Sequence, residues 1–255
     1  MRFASLGSGS RGNALLIEVG DTRVLLDCGF GVEDATRRLA RLTIAADRIT
    51  AIVVTHEHDD HIGGVARFAR AHRIPVYLTF GTRVAAGAAF DGEFTAVEID
   101  SHTPFAIDDI EVFPFPVPHD AREPVQYVFG DGDCRLGVLT DVGTATAHIE
   151  SMLSGLEALV LECNHDEVML SRGSYPPVVK RRIAGRFGHL ANRAAADLLA
   201  RLDTSRLQHL VAAHLSRQNN RAELARTALA EAIGWDLAAI GVADQDEGFD
   251  WRQID

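Results

Sequence analysis

The run His56-Glu57-His58-Asp59-Asp60-His61 concentrates more metal-ligand chemistry than any other stretch of this chain. Imidazole nitrogens suit zinc, iron or manganese, and carboxylates shift a site toward harder ions. The run follows the apolar segment Ile49–Thr55, which reads as a buried strand. On extended backbone His56 and His58 point to one side. The chain then turns into a helix near Ile62, which sets Asp60 and His61 beside that pair but displaced. One ion can take His56 and His58, and a second can take Asp60 and His61. Each ion needs further ligands, and strand ends are where loops gather. His119 follows the predicted strand Ile110–Val117, Asp141 follows Arg135–Thr140, His214 follows His209–Ala213, and Asp27 ends Arg23–Leu26. Any one of these alone is an ordinary cap or surface group. Their recurrence at four strand ends makes them ligand candidates.

The elements that must position these residues alternate along the chain. Alternation and β-rich runs predict strands at Arg2–Leu6, Ala14–Val19, Arg23–Leu26, Ile49–Thr55, Val76–Thr79, Phe94–Ile99, Ile110–Val117, Val125–Gly130 and Arg135–Thr140. Further strands are predicted at Ala158–Glu162, His209–Ala213 and Ala239–Val242. Helical spacing marks Val32–Leu42, Ile62–His72, Thr82–Phe90, the stretch near Thr146–Leu153, Pro177–Phe187, Asn192–Leu202 and Arg221–Ile233. There is no linker, repeat or low-complexity stretch. Residues 1–255 are therefore expected to form one domain, with sheets inside and helices outside.

Composition narrows the function classes. With 47% hydrophobic and 24% charged residues, the chain is ordinary for a globular protein. Three cysteines, none in a CxxC pair, fit a reducing compartment and disfavour a cysteine-rich zinc site. No signal peptide or membrane span is apparent, so a cytoplasmic location without membrane association is expected. A net charge of −11 argues against broad nucleic-acid binding. The stretch Arg172–Arg193 is an exception: it holds Arg172, Lys180, Arg181, Arg182, Arg186 and Arg193 and no acid. Gly7-Ser8-Gly9-Ser10-Arg11-Gly12 matches GxGxxG, with Asp27 20 residues after Gly7. A dinucleotide site requires a helix next, whereas Ala14–Val19 reads as a strand. The loop is either an anion contact through Ser8 and its backbone donors or a plain turn.

With these residues in place, the chain resembles the metallo-β-lactamase superfamily. The resemblance rests on Leu25-Leu26-Asp27-Cys28-Gly29, the HxHxDH run, His119, Asp141 and His214, in that order. It implies an α/β fold, the αββα sandwich. It also implies two divalent ions, zinc or manganese: His56, His58 and His119 on the first, Asp60, His61 and His214 on the second, Asp141 bridging, and Asp27 orienting a ligand. Gly7–Ala14, Gly188-His189-Leu190-Ala191-Asn192 and Ala213-His214-Leu215-Ser216-Arg217-Gln218-Asn219-Asn220 resemble the narrower YycJ/WalJ (VicX) subgroup. That subgroup usually has serine where Ala191 stands, so one hydroxyl is missing. The subgroup is associated with 5′→3′ exonuclease activity on DNA.

Gap lengths weigh against other relatives. The 22 residues from His119 to Asp141 leave no room for the arm of tRNA 3′-processing enzymes, and the 73 from Asp141 to His214 none for a β-CASP domain. What remains is a compact phosphodiesterase of the YycJ type, and the resemblance to that subgroup implies DNA, as single strands or ends, as the substrate. Two divalent ions can share a hydroxide nucleophile, and with Asp60 and Asp141 the site keeps about +1, which attracts a phosphodiester. His189 is expected to stabilise the phosphate or protonate the leaving group. Asn13, Asn164, His165, Asn192 and Ser216 are expected to shape the pocket, and Lys180, Arg181 and Arg186 to meet flanking phosphates. The alternatives are a small-molecule hydrolase of the same fold (a cyclic phosphodiesterase, lactonase or thioesterase) and a non-catalytic regulator. Intact candidates at every ligand position disfavour the last.

Overall fold

A computed structural model describes residues 1–255 except Asp91 and Glu93. In chain order the elements are β1 (Arg2–Gly7), β2 (Ala14–Val19), β3 (Thr22–Leu26), α1 (Val32–Arg41), β4 (Ala51–Val53), α2 (Asp59–Ile62), α3 (Val65–His72), β5 (Val76–Thr79), α4 (Phe80–Ala86), β6 (Ala96–Ile99), β7 (Phe105–Ile107), β8 (Ile110–Pro116) and β9 (Val125–Gly130). There follow β10 (Arg135–Leu139), α5 (Ala147–Leu153), β11 (Ala158–Glu162), α6 (Glu167–Arg172), α7 (Pro177–Ile183), α8 (Asn192–Leu199), β12 (His209–Ala213), α9 (Ala222–Ile233), β13 (Ile240–Val242) and β14 (Phe249–Gln253).

The strands form two seven-stranded sheets, ordered β14-β1-β2-β3-β4-β5-β6 and β13-β12-β11-β10-β9-β8-β7. Each sheet passes from antiparallel to parallel pairing: at β3–β4 in the first and at β10–β11 in the second. Parallel strands need covered faces, and the central ones are correspondingly apolar, as in Ala51–Val53 and Ala158–Leu161. Leu25 and Leu26 show how alternation splits the burial. Leu25 packs in a cluster with Leu39 and Phe68 of α1 and α3. Leu26 packs with Val53, Tyr127, Val138 and Val160 between the sheets. A third cluster joins Leu139, Leu161 and Leu210 to Leu198 of α8 and Leu229 of α9. The result is the expected αββα sandwich.

Several segments differ from the sequence expectation. Gly63-Gly64 splits the helix expected over Ile62–His72, because a Cβ at Gly64 would sit 1.8 Å from the Phe30 carbonyl oxygen. The helix expected over Pro177–Phe187 stops at Ile183, and the chain from Gly185 to Gly188 folds back on it through Gly188 N–H donating to Gly185 O and His189 N–H to Ile183 O. The helix expected over Thr82–Phe90 begins at Phe80 and gives way to a 3₁₀ turn over Gly87–Phe90. The elements β7, α6 and β14 are short or polar and carry weak periodicity. Among them β14 is held from outside, pairing with β1 at the far end of the chain.

Site residues cluster beyond the carboxyl ends of β3, β4, β8, β10, β11 and β12, where open α/β sheets place their ligands. The end of β4 is tied across the core by the buried Tyr127 hydroxyl, which donates to Val54 O at 2.8 Å. A Tyr127→Phe variant leaves that carbonyl without its partner. It should lose about 1–3 kcal/mol in urea unfolding while keeping its far-ultraviolet spectrum.

Candidate metal centre

Three side chains converge from β4 and the loop after β8. His56 Nε2 lies 3.1 Å from His58 Nδ1, and His119 Nε2 lies 3.2 Å from that same atom. The other ring nitrogens of His56 and His119 are already engaged. His119 Nδ1 is 3.1 Å from Gly188 O, which can only accept, so the proton is on Nδ1. The Thr55 hydroxyl donates to Asp27 Oδ2 at 2.8 Å and therefore accepts from His56 Nδ1 at 2.9 Å. Bare lone pairs on His56 Nε2 and His119 Nε2 thus face one group, and a proton on His58 Nδ1 satisfies only one of them. Burial, followed by the neighbouring His61, holds the His56 imidazole well below its ordinary pKa, so adding a proton there is unfavourable. Tetrahedral coordination with ~2.0 Å bonds separates ligand atoms by roughly 3.3 Å, close to the spacing seen.

A second group is built on carboxylates. Asp27 Oδ1 accepts the Thr55 N–H at 2.8 Å, and Oδ2 accepts His61 Nδ1–H at 2.8 Å. His61 Nε2 is thereby aimed at Asp141 Oδ2, 2.9 Å away. That oxygen is buried and makes no hydrogen bond. A bare lone pair and a carboxylate oxygen repel at this distance, and a proton or a metal ion shared by the two relieves it. Asp60 Oδ2 lies 3.4 Å from His214 Nε2 and 3.8 Å from His61 Nε2. Asp60, His61 and His214 therefore form one ligand group, and His56, His58 and His119 another. Asp141 lies between them, with Oδ1 3.9 Å from His119 Nε2. Burial opposes charge on His214, but Asp141, Asp60 and Glu162 outweigh it and lift its pKa to about 10.

Glu162, at the end of β11, was not singled out in the sequence. Its Oε1 accepts from His189 Nδ1 at 2.8 Å and from His214 Nδ1 at 3.1 Å. Its Oε2 accepts the N–H groups of Leu190 and Val142, each at 3.0 Å. Although burial opposes ionisation, these donors, His189 first, bring its pKa down to about 2. Four donors occupy both oxygens, so Glu162 orients two imidazoles and is not itself a free ligand, although it lies within 4.8 Å of Asp141, His189 and His214. The available signal was a lone carboxylate closing the wholly buried strand Ala-Leu-Val-Leu-Glu. A buried charge must be paired.

Three of these residues hold left-handed backbone: Asp27 at φ 59°, Asp141 at 52° and His214 at 54°. Each follows a parallel strand, so the strain turns the side chain sharply into the site. Ser8 supports one of these turns: its hydroxyl accepts the His214 N–H at 2.9 Å. Asn13 receives the Gly9 N–H and lies 3.0 Å from His61 Nε2 and 3.2 Å from Asp60 O. The GxGxxG loop is thus packed behind the ligands. A Cβ at Gly29 would lie 2.0 Å from Asp60 O, so glycine there allows the Asp60 loop to close against β3's end.

The remaining candidates divide. Asn164 donates to His214 O, and Ser216 N–H returns to Asn164 O. Asn192 is buried and exchanges hydrogen bonds with Asn220 at 2.8 and 2.9 Å. These three hold loops in place. A cleft of about 340 Å³ opens over the metal-ligand groups, lined by His58, Asp60, Asp141, His189, His214 and Arg182 among others. Arg182, at the mouth, donates to Asp120 at 2.6 Å. Lys180, Arg181 and His165 line a neighbouring cavity instead. Arg186 lies on the loop beyond α7, its guanidinium 5.6 Å from the exposed Phe187 ring. Burial resists charge on His189, but Glu162 raises its pKa above the ordinary value, at the cleft wall.

Residues 22–214 match the model of the β-lactamase superfamily domain. The chain is 34% identical over 238 residues to the exodeoxyribonuclease YycJ of Bacillus anthracis, covering 91% of this chain and 89% of that protein. It is 30% identical to the exodeoxyribonuclease WalJ of Streptococcus pneumoniae, covering 94% and 91%. Among solved structures, the metallo-β-lactamase fold protein YhfI of Bacillus subtilis superposes with a TM-score of 0.76 over 99% of both chains at 14% identity, a likeness of fold alone. The family match begins at β3, just before Asp27, and ends on His214, spanning the strand ends that converge in the centre. The chain belongs to the β-lactamase superfamily and is a metal-dependent hydrolase.

Proposed function

We propose that this chain is a 5′→3′ exodeoxyribonuclease that uses two divalent ions, zinc or manganese, and that residues 1–255 act as one catalytic domain. The observation that carries this is His189: an imidazole held through Nδ1 by the Glu162 carboxylate on the wall of the cleft that covers both ligand groups. An imidazole backed by a carboxylate there can meet the anionic transition state of a phosphodiester with an N–H. The named activity of two relatives aligned along nearly the whole chain supports DNA as the substrate. The 5′→3′ direction rests on the subgroup resemblance.

In this reading His56, His58 and His119 hold one ion, and Asp60, His61 and His214 the other, with Asp141 between them. When bound, two such ions lower the pKa of water and polarise phosphoryl oxygens. The chain's own groups do the rest. Asp27, Thr55, Glu162 and Gly188 O take the Nδ1 protons of His61, His56, His214 and His119, which leaves each Nε2 free to ligate. His189 keeps its Nδ1–H on Glu162 and presents its other nitrogen as the proton donor to a leaving oxygen. Arg182 at the mouth offers charge to a flanking phosphate once it leaves Asp120. The strand or end that enters is single-stranded. The buried free thiols Cys28, Cys134 and Cys163 suit action in the cytoplasm.

The deciding experiment incubates metal-loaded protein with 5′-phosphorylated DNA, RNA, a lactone and bis(p-nitrophenyl) phosphate. DNA should be shortened from its ends. No loss of DNA with manganese, zinc or magnesium ends this reading, and turnover of the lactone alone assigns a carboxyl-ester substrate. Chelation followed by dialysis should abolish activity, and added manganese or zinc should restore it. Asp27→Asn should lower metal affinity by roughly 10- to 100-fold in a competition titration, because His61 loses its orienting acceptor. His189→Ala should lower kcat for DNA by roughly 100-fold or more with little change in metal content.

A further inference from the structure

Five imidazoles of the centre have an acceptor behind them, and His58 has none. His56 Nδ1–H donates to the Thr55 hydroxyl, His61 Nδ1–H to Asp27, His119 Nδ1–H to Gly188 O, and His189 and His214 share Glu162. His58 is turned the other way round. Its Nδ1 is the atom that lies 3.1 and 3.2 Å from the inward Nε2 atoms of His56 and His119. Its outer nitrogen, Nε2, makes no hydrogen bond among the described residues. A carboxylate stands beside it: Asp120 Oδ1 is 3.9 Å from His58 Nε2 and 3.5 Å from His119 Nε2. Asp120 is outside the ligand group that His56, His58 and His119 form. The chain holds this carboxylate firmly. Asp120 N–H donates to Phe187 O at 3.0 Å, and its Oδ2 accepts from Arg182 Nε at 2.6 Å. Arg122 N–H donates to Glu57 Oε1 at 2.7 Å, which ties the same loop to the residue between His56 and His58. Among the described residues, Oδ1 is the acceptor that this bracing leaves free.

We propose that Asp120 is a positioning residue: it accepts the Nε2–H of His58 and so turns Nδ1 toward the ion shared with His56 and His119. The inference rests on that ligand assignment. A neutral imidazole carries one proton, so a His58 that gives its Nδ1 lone pair to a cation keeps its N–H on Nε2. With the proton on Nδ1 instead, Nε2 is a bare acceptor facing a carboxylate, and the two stand 3.9 Å apart. Moving that proton to Nε2 turns the repulsion into a hydrogen bond, and the ring stays neutral throughout. A carboxylate acceptor also fixes the plane of a ligating imidazole and makes its other nitrogen more basic. Arg182 serves this arrangement through Oδ2, so the cation at the cleft mouth also steadies the first ligand group.

Zinc serves as a diamagnetic probe. In nitrogen–proton correlation spectra of isotope-labelled, zinc-loaded protein, His58 Nε2–H should give a slowly exchanging downfield signal. That signal should vanish in Asp120→Ala, while the Nδ1–H signals of His56, His61 and His214 persist. In a competition titration against a chromophoric chelator, Asp120→Ala should hold zinc roughly 10- to 100-fold more weakly, with an unchanged far-ultraviolet spectrum. A His58 signal that survives in Asp120→Ala overturns the proposal; if zinc is nonetheless held more weakly, Asp120 is a ligand instead. Wild-type zinc affinity in the variant overturns it too, as does a zinc-loaded wild type without the signal. If zinc leaves the His58 Nδ1 resonance unmoved, His58 is not a ligand, and the metal assignment falls together with the proposal. A shifted Nδ1 resonance with any of the earlier contrary results sinks the role of Asp120 alone.

Discussion

The centre of this protein depends on where the imidazole protons go. Six rings crowd the centre, those of His56, His58, His61, His119, His189 and His214, and each could carry its proton on either nitrogen. The surrounding chain decides. Asp27 and Glu162, with Thr55 and the Gly188 carbonyl, accept the Nδ1 protons of His61, His189, His214, His56 and His119. The Nε2 lone pairs of His56, His61, His119 and His214 consequently face inward toward one another and toward Asp141. Such an arrangement is repulsive unless a cation occupies it, so the buried carboxylates prepare the site for metal before metal arrives.

Backbone strain and burial work together to fix those acceptors. Asp27, Asp141 and His214 adopt left-handed backbone at the ends of parallel strands, a conformation unfavourable for non-glycine residues. Buried bonds lock two of the three: Asp27 by Thr55, His214 by Ser8 and Glu162. The GxGxxG loop contributes here as packing. Asn13 braces Asp60 and His61, and Ser8 braces His214.

Charge is unevenly distributed around the centre. The net charge of −11 belongs to the whole molecule, while the α7 segment faces the site with Lys180, Arg181 and Arg182. The structure sorts these three to different places: Arg182 to the cleft, Lys180 and Arg181 to the adjoining cavity. His189 divides the two spaces.

Much of this was legible in the sequence. The His56–His61 run and the strand-end positions of Asp27, His119, Asp141 and His214 follow from ligand chemistry combined with strand periodicity, and both are local properties. The two-sheet sandwich followed from alternating helical and β-rich segments together with the family resemblance. Tertiary structure alone revealed Glu162 as the acceptor that orients His189 and His214, because its partners lie 27 and 52 residues away. It also supplied the hydrogen-bond partners of Ser8, Asn164 and Asn192, since a hydrogen-bonding side chain looks the same in sequence whichever partner it meets. The pairing of β14 with β1 and the separation of Lys180 and Arg181 from Arg182 were likewise decided by packing. Residue types and spacing specify what chemistry is available; the folded chain decides which lone pair, proton and charge face the same space.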